Sequence, residues 1–377
     1  MLPGPVDGAA SLADVLRDCL AAATGRPARL GLPPVERAAV ILVDGLGAES
    51  LRARAGHART LSAAMATRAD VITTGVPTTT AVALATLATG ASPGEHGIVG
   101  YTALEPGADR VVNQLRGWDE GLLPDDWLRV PTLFEAAGAA GLEAIALSAP
   151  RYRRSGFTSA VLRGARYLPA KTVEDRAEAL ADILADRSWR GLVYAYIPEL
   201  DMAAHEHGWE SNEWITVIER VDAAVGRVAR ALGPASGVLL TADHGILDVP
   251  RRRRIVIEDG SPLWTGVRRV AGEHRLLQLH LAPDADPEAV AARWLDTVGA
   301  DAWVATREAA IAAGWFGRVA PEVLPRIGEV LVAARKGVAY YTEQDFAGSA
   351  GRMVGQHGSW TEAETRVPLL RFGAFAG

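Results

Sequence analysis

Three stretches of the chain are apolar without interruption and then stop at an acidic residue. AAVILVDGLG (38–47) runs into Asp44, GLVYAYIPELD (191–201) into Asp201, and GVLLTADHG (237–245) into Asp243 and His244. Continuous apolar runs of this kind fit strands buried on both faces. Between them the period changes. SNEWITVIERVDAAVGRVARAL (211–232) and PTLFEAAGAAGL (131–142) are apolar at helical spacing. Leu12, Val15, Leu16, Cys19 and Leu20 predict an amphipathic helix that packs onto the core. Strands alternating with helices predict an α/β fold with a mostly parallel central sheet flanked by helices. In such sheets ligands gather at the carboxyl ends of the strands, where these acidic residues fall.

From about residue 250 the texture differs. PRRRRIVIEDG reads as a charged connector, RLLQLHLAP as a strand and DPEAVAARWLDTV as a helix. DAWVATREAAIAAG and IGEVLVAARKGVAYY supply further strand and helix candidates, and VGQHGSW (354–360) and VPLLRFG resume the core pattern. Residues 250–349 are therefore expected to form a smaller inserted α+β subdomain that shapes the ligand pocket. The core is expected to comprise 1–249 with 350–377.

Composition narrows the function. The 377 residues are 49% hydrophobic with a formal charge of −6, which argues against general nucleic-acid binding. Cys19 is the single cysteine, so no intrachain disulfide can form and a cytoplasmic setting is expected. The N-terminal segment lacks a basic start followed by an apolar run, and no stretch reaches the roughly 18 apolar residues of a membrane span. Neither a leader nor a membrane anchor is expected.

Six polar residues have the chemistry of metal ligands. In DMAAH, Asp201 and His205 are four apart, on one face of a helical turn. Asp243 and His244 share a strand end, His357 lies in a Gly-rich turn, and Asp44 ends the first apolar run. Three carboxylates and three imidazoles suit Zn²⁺ or Mn²⁺ better than Ca²⁺ or copper. Taken singly, each has a plainer reading as a cap, a turn former or a surface pair.

The ordered set VDGLG, TTTAVALATLATG with SPGEHGIVGY, ELDMAAHEHG, TADHG and GQHG resembles the alkaline phosphatase superfamily, most closely its nucleotide pyrophosphatase/phosphodiesterase branch. The resemblance implies an α/β core holding two divalent metal ions, usually zinc, and a Thr or Ser nucleophile. It selects one threonine of the seven in ITTGVPTTTAVALATLATG. In that branch the nucleophile stands nine positions before the Thr of a TG turn that leads into HGI. Here Thr89-Gly90 leads into His96-Gly97-Ile98, and counting back gives Thr80. The resemblance further implies that Asp44, Asp243, His244 and the Thr80 oxygen hold one ion, and that Asp201, His205 and His357 hold the other. The implied reaction is hydrolysis of a phosphodiester or pyrophosphate bond in a small-molecule phosphate ester, through a covalent phosphothreonine.

Two positions depart from the family. Phosphodiesterases commonly carry an aromatic residue directly after the nucleophile and an Asn three residues after it; here these are Ala81 and Ala83. Nucleobase stacking and an oxyanion donor are not expected from those positions. Arg116, Arg151, Arg153 and Arg154 are candidates for a phosphate or substrate carboxylate. His96 is expected to order its loop, His207 to be exposed, and the run 251–254 to be a solvated face. Alternatives within the superfamily are a phosphomonoesterase, a phosphonate hydrolase and a phosphomutase. Outside it stands a non-catalytic metal- or phosphate-binding protein.

Overall fold

A computed structural model describes residues 1–66 and 70–376. The central sheet has six strands in the order Leu370–Gly373, Ser236–Thr241, Arg37–Val43, Gly191–Ile197, Glu143–Ser148 and Arg166–Pro169. All neighbours are parallel except Leu370–Gly373, which closes one edge antiparallel. Every residue of Arg37–Val43 is buried, as a strand covered on both faces requires. The three apolar runs are thus adjacent strands, with Arg37–Val43 in the middle, and their acidic ends converge at one edge of the sheet.

Helices form where the period indicates. Leu12–Ala23 begins with a capping box between Ser11 and Asp14 and buries Leu12, Val15, Leu16 and Cys19 completely. Asn212–Ala231 starts at Ser211, whose hydroxyl accepts from Trp214 N, and packs against the helix Val173–Ala185. The 131–142 segment yields Leu133–Ala139, capped by Thr132.

A second sheet departs from what the pattern indicates. Its six strands run Ala302–Thr306, Val330–Ala334, Leu276–Leu281, Val267–Glu273, Thr102–Glu105 and Arg110–Asn113, antiparallel throughout. The last two come from the segment that follows HGIVG, so strands from 267–334 share a sheet with a hairpin from 102–113. The charged connector also carries a strand, Arg254–Ile257, paired parallel with Ala339–Thr342. Backbone pairing overrides the local charge of the arginine run, because a strand needs only an open partner and alternating room for its side chains.

Arg275, at the turn between Val267–Glu273 and Leu276–Leu281, fastens this sheet to the core. Its guanidinium meets the Glu364 carboxylate side-on, Nε to Oε1 at 2.7 Å and Nη2 to Oε2 at 2.8 Å, with both side chains fully buried. Glu364 Oε1 also accepts Ser359 N at 2.9 Å, which fixes the turn that carries His357. Removing one member of such a pair strands a buried charge. Glu364→Ala is therefore expected to cost about 3–5 kcal/mol of unfolding free energy in urea titration. A midpoint equal to that of the wild type would show that the pair does not anchor the turn.

Candidate active site

The first ligand candidates follow the strands directly. Asp44 is the next residue after Arg37–Val43, and Asp243-His244 lie just beyond Ser236–Thr241. Asp201 and His205 occupy the helix Glu199–His207, one turn apart. Gly45 allows the close approach: its φ is +74°, and an added Cβ would stand 3.0 Å from Asp201 Cβ. His357 follows the short strand Gly355–Gln356.

These side chains meet in one buried cluster. The Nε2 of His244 lies 3.5 Å from Asp44 Oδ1 and 3.3 Å from Asp243 Oδ2. The Nε2 of His205 lies 3.2 Å from both Asp201 Oδ2 and His357 Nε2. The rings of His244 and His357 stack at 3.7 Å. Asp44, Asp243 and His244 place donor atoms within 4.8 Å of one another, and Asp201, His244 and His357 do the same. His244 therefore stands at the junction of the two groups that the sequence separates.

The three imidazoles are oriented alike. His205 Nδ1 faces Gly355 O at 2.8 Å, His357 Nδ1 faces Thr78 O at 2.7 Å, and His244 Nδ1 faces Gly245 O at 3.2 Å. A carbonyl can only accept, so each Nδ1 carries the proton and each Nε2 turns a lone pair inward. The carboxylates are similarly half-used. Asp243 Oδ1 accepts from the Gly45 and His244 amides at 3.1 and 3.0 Å, and Asp44 Oδ2 accepts from the Tyr196 hydroxyl. Asp44 Oδ1, Asp201 Oδ1 and Asp243 Oδ2 are buried without a hydrogen-bond partner.

The electrostatics show what the cluster lacks. Burial, followed by Asp243 and Asp201, pushes the Asp44 carboxyl well above the usual carboxylate range. Burial would raise Asp201 too, but His205, His357 and His244 together hold the carboxyl below its ordinary value. Burial and then His244 keep His357 well below the ordinary imidazole value. Converging lone pairs and unpartnered carboxylate oxygens repel one another unless a cation stands among them. Nitrogen and oxygen donors in this ratio fit a zinc- or manganese-type ion.

Thr80 opens the helix Thr80–Thr89, and its Oγ1 donates to His244 Nε2 at 3.3 Å. The first-turn amides of that helix have no intrahelical acceptor, which favours an anion beside the hydroxyl. Thr78 stitches this loop to the His357 turn: its Oγ1 donates to Ser359 O and accepts from Gly358 N, each at 2.9 Å. Thr86 Oγ1 meets His96 Nε2 at 3.0 Å, while His96 Nδ1 accepts from Ile98 N at 3.1 Å. His96 thus orders its loop.

The model of the type I phosphodiesterase / nucleotide pyrophosphatase family matches residues 38–360. The chain belongs to this family. Murine ectonucleotide pyrophosphatase/phosphodiesterase 5 is 18% identical, covering 89% of this chain and 88% of that one, with a TM-score of 0.67. An inactive form of that murine protein in complex with AMP matches at 0.65 with 17% identity, covering 90% and 88%. Phosphonoacetate hydrolase from Sinorhizobium meliloti 1021, in complex with phosphonoformate, matches at 0.68 with 18% identity, covering 90% and 91%. At these identities the likeness shows a shared fold. No curated protein matches.

Within this type I phosphodiesterase fold, a cavity of about 360 Å³ opens beside Asp44, Thr80 and Asp201. Arg116 lines it, whereas Arg153 and Arg154 are exposed elsewhere and Arg151 bonds Tyr152 Oη at 2.9 Å. His207 is exposed beside Glu206. Ala83 is 1% exposed and lies in the core, while Thr80 and Leu84 line the cavity. Two residues escaped notice. Tyr196 alternates with Tyr194 along a strand, a signal that usually means core. Glu273, from the second sheet, lies 3.7 Å from His357 Nδ1, and burial pushes its carboxyl well above the usual range. No helix among the described residues is long and apolar enough to cross a membrane.

A divalent cation bound to the folded state alone, at a hundred times its dissociation constant, stabilises by about 2.7 kcal/mol. Zn²⁺ or Mn²⁺ is therefore expected to raise the melting temperature of the wild type and to leave Asp243→Ala unmoved. An absence of any cation-induced rise would remove the metal reading. His96 gives a pH signature. Burial first, then Arg326, lowers its pKa to about 3. A depressed imidazole contributes stability above its unfolded value of about 6.5. Stability is thus expected to fall as pH drops from 6.5 toward 3, and His96→Gln to flatten that slope in unfolding titrations.

Proposed function

We propose that this chain is a hydrolase of phosphodiester or pyrophosphate bonds in which Thr80 is the nucleophile. The observation that carries the reading is the placement of Thr80 Oγ1. It sits at a helix N-terminus, 3.3 Å from His244 Nε2, which itself neighbours the open oxygens of Asp44 and Asp243. A free threonine hydroxyl is a weak nucleophile at neutral pH. Two divalent ions, zinc or manganese, are proposed to supply the missing charge by favouring the Thr80 alkoxide, activating water and neutralising the phosphoryl oxygens.

The chain's own residues do the rest. Asp44, Asp243 and His244, the last of them 3.3 Å from Thr80 Oγ1, are proposed with the Thr80 oxygen to hold the ion on its side; Asp201, His205 and His357 are proposed to hold the second ion. The amides at the start of Thr80–Thr89 face the phosphoryl oxygens. Thr80 Oγ1 attacks phosphorus as the P–O bond to the leaving alcohol or phosphate breaks, and that group departs with a proton. Water then adds to phosphorus, the bond to Thr80 breaks, and the hydroxyl is regenerated. The main-chain carbonyls at 78, 245 and 355 hold the three imidazoles in one tautomer through both steps.

Purified, zinc-supplemented protein is expected to hydrolyse bis-p-nitrophenyl phosphate faster than p-nitrophenyl phosphate, with a chelator abolishing both. Thr80→Ala is expected to lower kcat by on the order of 10³-fold or more while keeping the cation-induced rise in melting temperature. Full turnover by Thr80→Ala would sink the nucleophile assignment. A preference for the monoester would make the protein a phosphatase with the same site.

A further inference from the structure

The cavity beside Thr80 has a floor and a lid that read as a specificity site. Register places its floor on one face of the central sheet. Ala146 is paired with Tyr194 on one side and Tyr167 on the other, and Ser148 and Tyr196, two residues on, share that face. Tyr194, Tyr196 and Tyr152 form a ladder from floor to mouth, with ring centroids 6.3 and 6.0 Å apart. Leu84, Phe157 and Val161 cover it from the helices Thr80–Thr89 and Gly156–Val161.

Two hydroxyls on this floor keep hydrogen-bonding capacity. Tyr196 Oη donates to Asp44 and Tyr167 Oη to Ala149 O at 2.6 Å. Tyr194 Oη, in a residue 3% exposed, has no protein hydrogen-bond partner, and Ser148 Oγ, in a residue 2% exposed, faces the Tyr167 hydroxyl alone and can still accept. The lining carries four charges. Asp44 and Asp201 belong to the ligand clusters, while Arg116 and Asp119 stand together on the exposed rim. The inner walls are neutral. Resting on the reading of Thr80 as nucleophile, we propose that this cavity binds the organic group of the ester, and that this group is uncharged, apolar along its flanks and hydrogen-bonded to Tyr194 and Ser148 at its far end. A carboxylate there would lie without a buried cation, at a cost of several kcal/mol. The cavity thus disfavours phosphonocarboxylic acids, although a hydrolase of that class shares the fold. Its volume of about 360 Å³ suits a ring-sized group.

Calorimetric binding of three probes to the zinc-supplemented full chain tests this. Phenylphosphonate is expected to bind at least tenfold more tightly than phosphonoacetate, and 4-hydroxyphenylphosphonate about fivefold more tightly again, the worth of one hydrogen bond. Tyr194→Phe and Ser148→Ala are each expected to narrow that second gap. Should Tyr194→Phe fail to fold, Ser148→Ala carries the test. Phosphonoacetate binding as tightly as phenylphosphonate, or a hydroxyl advantage intact in both variants, overturns the assignment. Turnover of bis-p-nitrophenyl phosphate by the same preparation separates the two readings. An active enzyme with the wrong ligand order sinks the cavity assignment alone. An inactive one with the expected order sinks the phosphoesterase reading and leaves the cavity.

Discussion

The site depends on main-chain carbonyls that fix three imidazoles. Each of His205, His244 and His357 spends its Nδ1 proton on a backbone oxygen, so no ring is free to rotate its lone pair out of the cluster. The carbonyls belong to separate segments: the loop before the helix Thr80–Thr89, the turn after Ser236–Thr241, and Gly355. Any shift between these segments would misdirect a ring. That explains why so much buried structure is devoted to joining them, from the Thr78 contacts with Gly358 and Ser359 to the Arg275–Glu364 pair behind the His357 turn. Burial of like charges with their open oxygens turned to one point is tolerable only where a cation stands among them.

Much of the core was legible because strands buried on both faces leave an unmistakable trace. Runs ending at Asp44, Asp201 and Asp243 are assignable to one mostly parallel sheet from sequence alone, and the strand order then makes them neighbours and brings their ends together. The second sheet was not legible in the same way. Thr102–Glu105 and Arg110–Asn113 are strands of four residues, too short for a period, and their partner lies over 150 residues away. Arg275 and Glu364 were equally hidden, since a charged residue in sequence says nothing of a buried mate 89 positions on. Motif spacing singles out Thr80 without indicating which way its helix faces; in the fold Thr80 and Leu84 line the cavity while Ala81 and Ala83 are buried.

Helix rotation also bears on the cavity. With Thr80 and Leu84 lining it and Ala81 and Ala83 buried, the helix Thr80–Thr89 offers the cavity one hydroxyl and one aliphatic side chain. No aromatic ring stands beside Thr80 on that helix. Aromatic surface comes instead from the sheet, where Tyr194 and Tyr196 belong to the strand that leads into Asp201. The strand that leads into a ligand candidate thereby also lines the cavity, and Tyr196 ties the two together through its hydrogen bond to Asp44.

The threonine-rich stretch resolves into a division of labour. Branched side chains are poor helix formers, and their presence at the start and end of a ten-residue helix needs a reason. Thr89 returns its hydroxyl to Ala85 O at 2.6 Å and accepts Ala91 N at 3.2 Å, closing the helix before Gly90. Thr86 is held by His96 and Thr78 by the 358–359 backbone. Each of these hydroxyls is committed to local main chain or to a buried ring. Thr80 differs because its contact is with His244, a group whose own lone pair belongs to the cluster. Its hydroxyl can therefore change partners without unfolding anything, which is what a nucleophile must do and a structural threonine must not.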